Sequence, residues 1–286
     1  MASQNLPAQK DNSFIDKLKR IVNQYIGGNS DASWQIIQSA ATDNSMLPEM
    51  KSAAVSIIEK EARRIKTRKR IVEKAASIKT NDETVSEEKP ADDWMARFFN
   101  TVEDITEDTM QNLWAQILAG EVKRPHSFSL RTLDVLRNMS KEDAELYVKA
   151  IESYCYDGYI LTDEQYGISL EDRITLSEMG VLSPDELTRT ISITQEQQLD
   201  RLNDGYALLL KKQTANKIDV IFKCRSLTKA GRELLPLVND KNNLDLFAYI
   251  AGKFKKAGID SVALHKVKQW KKDGTVSYLM LPEKTF

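Results

Sequence analysis

Apolar residues recur at helical spacing through the first half of the chain, and the period changes after Cys155. The clearest pattern runs from Asp92 to Cys155. Met110, Leu113, Trp114, Ile117 and Leu118 repeat at i, i+3, i+4, i+7 and i+8, which predicts a helix of about four turns. Thr106 is placed to cap it, Glu107 and Asp108 suit its positive end, and Gly120 is placed to close it in a left-handed conformation. Trp94, Phe98, Phe99 and Val102 mark a helix before it. Pro125 breaks the chain, and Ser129 starts a helix carrying Leu130, Leu133 and Leu136. Ser140 and Asp143 form a capping box for a fourth, with Ala144, Tyr147, Val148, Ile151 and Cys155 on one side. Four short helices with short links predict an antiparallel-type bundle over residues 92–156.

Upstream, residues 1–12 are polar and read as disordered. Residues 13–78 read as a helical arm. Its first segment gathers Phe14, Ile15, Leu18, Ile21, Val22, Tyr25 and Ile26 on one face and ends at Gly27–Gly28. That face (Phe14, Leu18, Ile21, Val22, Tyr25) suits docking on the protein's own core or on a partner or second copy; the alternative is a helix lying in a membrane interface. Trp34, Ile36 and Ile37 mark a short helix over 31–43. Pro48 opens a long one reaching about Ile78, with a stripe of Ile58, Ala62, Ile65, Val72 and Ala76. Residues 79–91 are polar and read as a linker.

Residues 157–240 mix short strands and helices. YDGYILT is strand- or turn-like. Ser169 and Asp172 cap a helix closed by Gly180, and Ser183–Pro184–Asp185–Glu186 reads as another helix start. Residues 188–205 are ambiguous, a β-branched run followed by a polar one. Tyr206–Lys212 and Lys217–Cys224 predict a hairpin with TANK in its loop, and Thr228 starts a further helix. This order is similar to a winged helix. Residues 241–286 predict a helix (Leu244, Phe247, Ile250, Ala251, Phe254) and a hairpin turning at Asp273–Gly274. The fold class expected is therefore mainly α with small β (α+β): a helical bundle, a winged-helix-like domain and a carboxy-terminal helix–hairpin unit.

Composition narrows the function. With 286 residues, 29% charged, a net charge of −1 and a pI near 6.2, the chain has no global bias toward nucleic acid or anionic lipid. No apolar run approaches membrane-spanning length and no signal-peptide pattern is present, so membrane attachment is not expected. Cys155 and Cys224 form neither a disulfide framework nor a zinc site, and a reducing cytoplasm is the simplest setting. Cations cluster in one place: Lys60, Arg63, Arg64, Lys66, Arg68, Lys69, Arg70 and Lys74, against Glu59, Glu61 and Glu73. Arg63, Arg64, Lys66, Arg68, Lys69 and Arg70 are the candidate phosphate contacts; the alternative is a solvated face or one paired with the acidic residues between Asp82 and Asp93. Seven lysines between Lys253 and Lys272 make a second basic corner.

Candidate chemistry is sparse. His126 and His265 are far apart, and no phosphate-binding glycine loop occurs. Asp92, Asp93, Asp104 and Asp108 would make a metal site only by converging in the fold. Cys224, between Lys223 and Arg225, is either an activated thiol or a core residue. The expectation is no catalytic residue, no cofactor and no metal.

The phrase LWAQILAGE, followed by a proline and then SLRTL with a serine-capped helix, resembles a bacterial and prophage family of unknown function over roughly Asp92–Val238, with a looser echo of abortive-infection-like proteins. That resemblance implies a bacterial or prophage source and a setting in phage or mobile-element conflict, and it assigns no residue a role. The functional expectation is a non-catalytic, intracellular module that binds a protein partner or a second copy; the alternative is a nucleic-acid-binding protein.

Overall fold

A computed structural model describes residues 12–26, 39, 47–78, 85–155, 158–163, 168–202, 205–238, 243–270 and 276–286. The amino-terminal tail, the Trp34 segment and the Asp273–Gly274 turn lie outside the described residues. The chain divides into two compact units, Met1–Arg137 and Asn138–Phe286.

The first unit contains α1 (Asn12–Tyr25), α2 (Pro48–Ser77), α3 (Asp92–Val102), α4 (Asp108–Lys123) and α5 (Leu130–Arg137). Helix α4 is buried on nearly every side, from Met110 and Gln111 through Trp114, Ile117 and Leu118 to Glu121 and Val122. Around it, Phe98 stacks on Trp94 and meets Phe99 and Trp114 edge-on, with ring centroids 5.2–5.6 Å apart. Two expectations for α4 are corrected. Glu107, not Thr106, caps it, accepting a bond from the Met110 N–H at 2.7 Å. Gly120 does not close it, for the helix runs on to Lys123. The glycine is there because a Cβ would stand 2.8 Å from the Phe128 ring. In the loop that follows, His126 takes a positive φ of 69°. The described part of the linker is pinned to this unit: the Lys17 ammonium donates to the Ser86 and Glu88 carbonyls, and the Ser86 N–H donates to the Lys123 carbonyl.

The second unit contains α6 (Lys141–Ile151), β1 (Tyr154–Cys155), β2 (Tyr159–Leu161), α7 (Leu170–Glu178), β3 (Leu187–Ile193), β4 (Gln197–Arg201), β5 (Tyr206–Lys211), β6 (Ile218–Ser226), α8 (Lys229–Leu234), α9 (Leu244–Lys256), β7 (Ser261–Trp270) and β8 (Val276–Thr285). The expected caps form. Ser140 and Asp143 make a reciprocal capping box, Ser169 accepts from the Asp172 N–H, and Thr228 accepts from the Gly231 N–H. Gly180 adopts φ 81° after α7.

The expected fold class is overturned. The strands build two four-stranded antiparallel sheets, ordered β1-β2-β6-β3 and β4-β5-β7-β8. The fourth helix of the expected bundle, α6, belongs to the second unit, so residues 92–156 are not one bundle. The expected wing is absent: β5 pairs with β4 and β7, whereas β6 pairs with β2 and β3. Its two arms have different environments. β5 is largely buried on both faces, whereas β6, though paired on both sides, alternates buried and exposed. Residues 212–217 therefore cross between sheets, and the Lys212 ammonium ties that crossing by donating to the Thr214 and Asn216 carbonyls. Ser183–Pro184 leads into β3, not a helix. The carboxy-terminal hairpin β7–β8 is no separate unit, because β7 continues the sheet onto β5. One core joins the sheets: Leu208, Leu210, Phe222, Val262 and Leu264 pack with Phe247, Ile250 and Phe254 of α9.

Candidate functional site

The basic helix α2 is half neutralised by its own unit. Arg64 meets Glu103 at 3.0 Å and Asp104 at 3.7 Å, and Arg68 donates to the same Glu103 and to the Phe99 carbonyl. Arg70 and Lys74 converge on Asp108 at 2.9 and 2.8 Å. These carboxylates follow α3, beyond the Asp82–Asp93 stretch that sequence singled out. Arg63, Lys66 and Lys69 stay exposed with no ion pair among the described residues, as does Lys60. Of the six candidate phosphate contacts, three are thus engaged with carboxylates and three face solvent.

The apolar face of α1 is consumed inside its unit. Phe14, Leu18 and Ile21 are buried, and Tyr25 stacks on Phe99 while its hydroxyl donates to Asp92 at 2.6 Å. The side chain of Val22 lies outside the described ones. An open apolar surface lies on the amino-terminal half of α2. Leu47, Met50 and Ile57 are 62%, 53% and 59% exposed. With Ala54 they repeat at three- and four-residue steps, and the same register, continued down the helix, reaches the buried Ile71 and Ala75. That register runs through the charged Glu61, Arg64 and Arg68 between Ile57 and Ile71, so the exposed apolar patch at the start of α2 is separate from the core contact at its far end. Sequence reasoning missed it because it named Ile58, Ala62 and Ile65; the spacing from Leu47 was the available signal.

The LWAQILAGE phrase resolves into packing. Glu121 is buried, and its carboxylate accepts from the N–H groups of His126 at 2.7 Å and Phe128 at 3.0 Å, pinning the loop after α4. Burial pushes its pKa up against those bonds. His126 reaches Glu88 at 3.1 Å, whereas His265 is buried in β7. Of the four candidate metal carboxylates, Asp92 receives Tyr25, Asp104 meets Arg64, Asp108 meets Arg70, and Asp93 is exposed. Among the described residues no group of three His, Cys, Asp or Glu is placed to hold a metal ion. The Cys224 thiol donates to the Leu187 carbonyl at 3.7 Å, and burial pushes its pKa up, so it is the core residue and not an activated nucleophile.

Two concavities among the described residues of the second unit bear on a site. One, of about 40 Å³, sits against Tyr159, Arg189, Asp200, Arg201 and Cys224, a volume on the scale of water molecules and not of a substrate. The Arg189 guanidinium lies 5.0 Å over the Tyr159 ring. Burial pushes Asp200 up to about 6, with Arg189 pulling the other way. The other is a trough of about 580 Å³ between β6 and α9. Its anchor is Asp163, whose carboxylate accepts from the Lys253 ammonium at 2.7 Å, the Tyr249 hydroxyl at 2.9 Å and the Lys223 N–H at 2.9 Å. Burial opposes ionisation of Asp163, but those three bonds outweigh it and hold its pKa below the usual range.

These features describe a protein of two compact units, a helical one and a two-sheet one. Residues 56–158 and again 157–251 match the family described as "Protein of unknown function (DUF2806)". Together they span more than half of the chain, which therefore belongs to that family. No curated protein and no solved structure matches it. No helix among the described residues is long and apolar enough to cross a membrane.

Proposed function

We propose that the protein is a non-catalytic protein-interaction module whose docking element is the amino-terminal half of α2. The observation that carries this reading is the exposure of Leu47, Met50 and Ile57, three large apolar side chains at helical spacing on one face. The occupant is an amphipathic partner helix with an acidic border, because Lys60 stands exposed one turn beyond Ile57. A setting in phage or mobile-element conflict belongs to this reading as an expectation supported by the LWAQILAGE resemblance alone.

The test compares wild type with Met50→Glu/Ile57→Glu. Both positions are exposed, so circular dichroism and melting temperature stay unchanged. A helical peptide with leucine at the stripe positions and glutamate beside them is expected to bind wild type and to lose at least about tenfold in affinity against the double variant. Equal binding to both proteins would refute the assignment. Light scattering reports the competing occupant, a second copy.

A second reading rests on the exposed Lys60, Arg63, Lys66 and Lys69: a weak phosphate-binding face. Four contacts limit the slope of log K against log salt to about −4. Duplex DNA or RNA that fails to bind even at low salt ends this reading.

A further inference from the structure

Gly252 lies within the 13-residue helix α9, and a Cβ there would meet nothing within 4 Å. A glycine inside a helix costs backbone entropy relative to alanine, and packing does not require this one. The consequence of its missing side chain is the open floor of the trough. Tyr249, Lys253 and Lys256 share that face of α9 at helical spacing, and Ile221 and Lys223 face the trough from β6. Ile221 is 55% exposed although β6 is paired on both sides, so an apolar spot stands uncovered in mid-sheet. Lys253 is fixed by Asp163. Lys223 touches Glu186 only at 3.8 Å, and Lys256 makes no ion pair among the described residues.

We propose that this trough binds an extended acidic peptide segment carrying an apolar side chain. Its carboxylates lie against Lys223 and Lys256, and its apolar group covers Ile221 and fills the space above Gly252. The volume of about 580 Å³ falls in the range of ligand sites. A phosphodiester strand would use the lysines but leave Ile221 bare. It would also find Tyr249 a poor stacking platform, with the Lys253 ammonium 5.9 Å from the ring centroid and the hydroxyl tied to Asp163. The site stands in the second unit and does not depend on the α2 surface.

The experiment is fluorescence anisotropy with the full chain at low salt. The probe is a labelled peptide of about ten residues alternating Glu and Leu. Controls are the same peptide with Lys for Glu and a single-stranded DNA of similar charge. The acidic peptide is expected to bind, Lys223→Glu/Lys256→Glu to weaken it about tenfold or more, and Ile221→Ser to weaken it severalfold. Gly252→Phe blocks the floor and abolishes binding, whereas Gly252→Ala raises the melting temperature and leaves binding within about twofold. The lysine pair is exposed and reads out binding whether or not Gly252→Phe folds. The proposal is overturned if the acidic and basic peptides bind alike or if every variant binds as wild type. It is equally overturned if DNA displaces the peptide and Ile221→Ser changes nothing.

Discussion

Replacing Asp200 with asparagine should stabilise the protein at neutral pH and leave it nearly unchanged in acid. Asp200 pairs across to Leu208 of β5 and faces Arg189, Arg201, Tyr159 and Cys224 around the small cavity. Burial lifts its pKa from 3.8 to about 6 in the folded state. The folded protein thus holds that proton more tightly than the unfolded chain does. Below pH 3.8 both states are protonated and nothing is lost. Between 3.8 and about 6 the cost of a buried charge builds up, and above 6 it is complete. A rise from 3.8 to about 6, at about 1.4 kcal/mol per pH unit, comes to about 3 kcal/mol. Asp200 keeps some contact with solvent, so about 2 kcal/mol is the working figure. Asp200→Asn removes the titration and keeps the shape. The assay is urea unfolding of wild type and variant at about pH 4 and pH 7.5, following the transition that carries the strand signal, because the two units need not unfold together. The variant is expected to gain about 2 kcal/mol at the higher pH and no more than about 0.5 kcal/mol at the lower, where the titration has only begun. A variant less stable than wild type at pH 7.5, or an equal gain at both pH values, would refute the reasoning.

Glu121→Ala should cost about 2–4 kcal/mol, since the buried N–H groups of His126 and Phe128 lose their acceptor; thermal unfolding checks it. Gly231→Ala should cost more than about 2 kcal/mol or prevent folding, because the new Cβ would stand 2.2 Å from the Val181 carbonyl oxygen; yield and melting temperature report it. Arg68→Ala should cost about 1–3 kcal/mol, and a double-mutant cycle with Glu103→Gln should show coupling only slightly weakened by salt, since both side chains are largely buried. Full salt sensitivity of that coupling would contradict the burial.

What the sequence determined by itself was local. Ser140, Ser169 and Thr228 cap their helices because a cap needs only a side-chain oxygen two or three residues from an N–H. Pro48 opens α2 because its fixed φ and missing N–H suit a first turn. The apolar face of α1 was legible, but not whether it met its own core or a partner. Tertiary structure decided that, burying Phe14, Leu18 and Ile21 at home. It also decided which cations of α2 are spent, since Glu103, Asp104 and Asp108 lie more than thirty residues from the arginines they neutralise, a separation no periodicity encodes. Strand partners were the largest miss. A strand is specified by what flanks it, so the polar run Gln197–Arg201 became an edge, and Tyr206–Lys211 a centre, only when β7 arrived from fifty residues downstream.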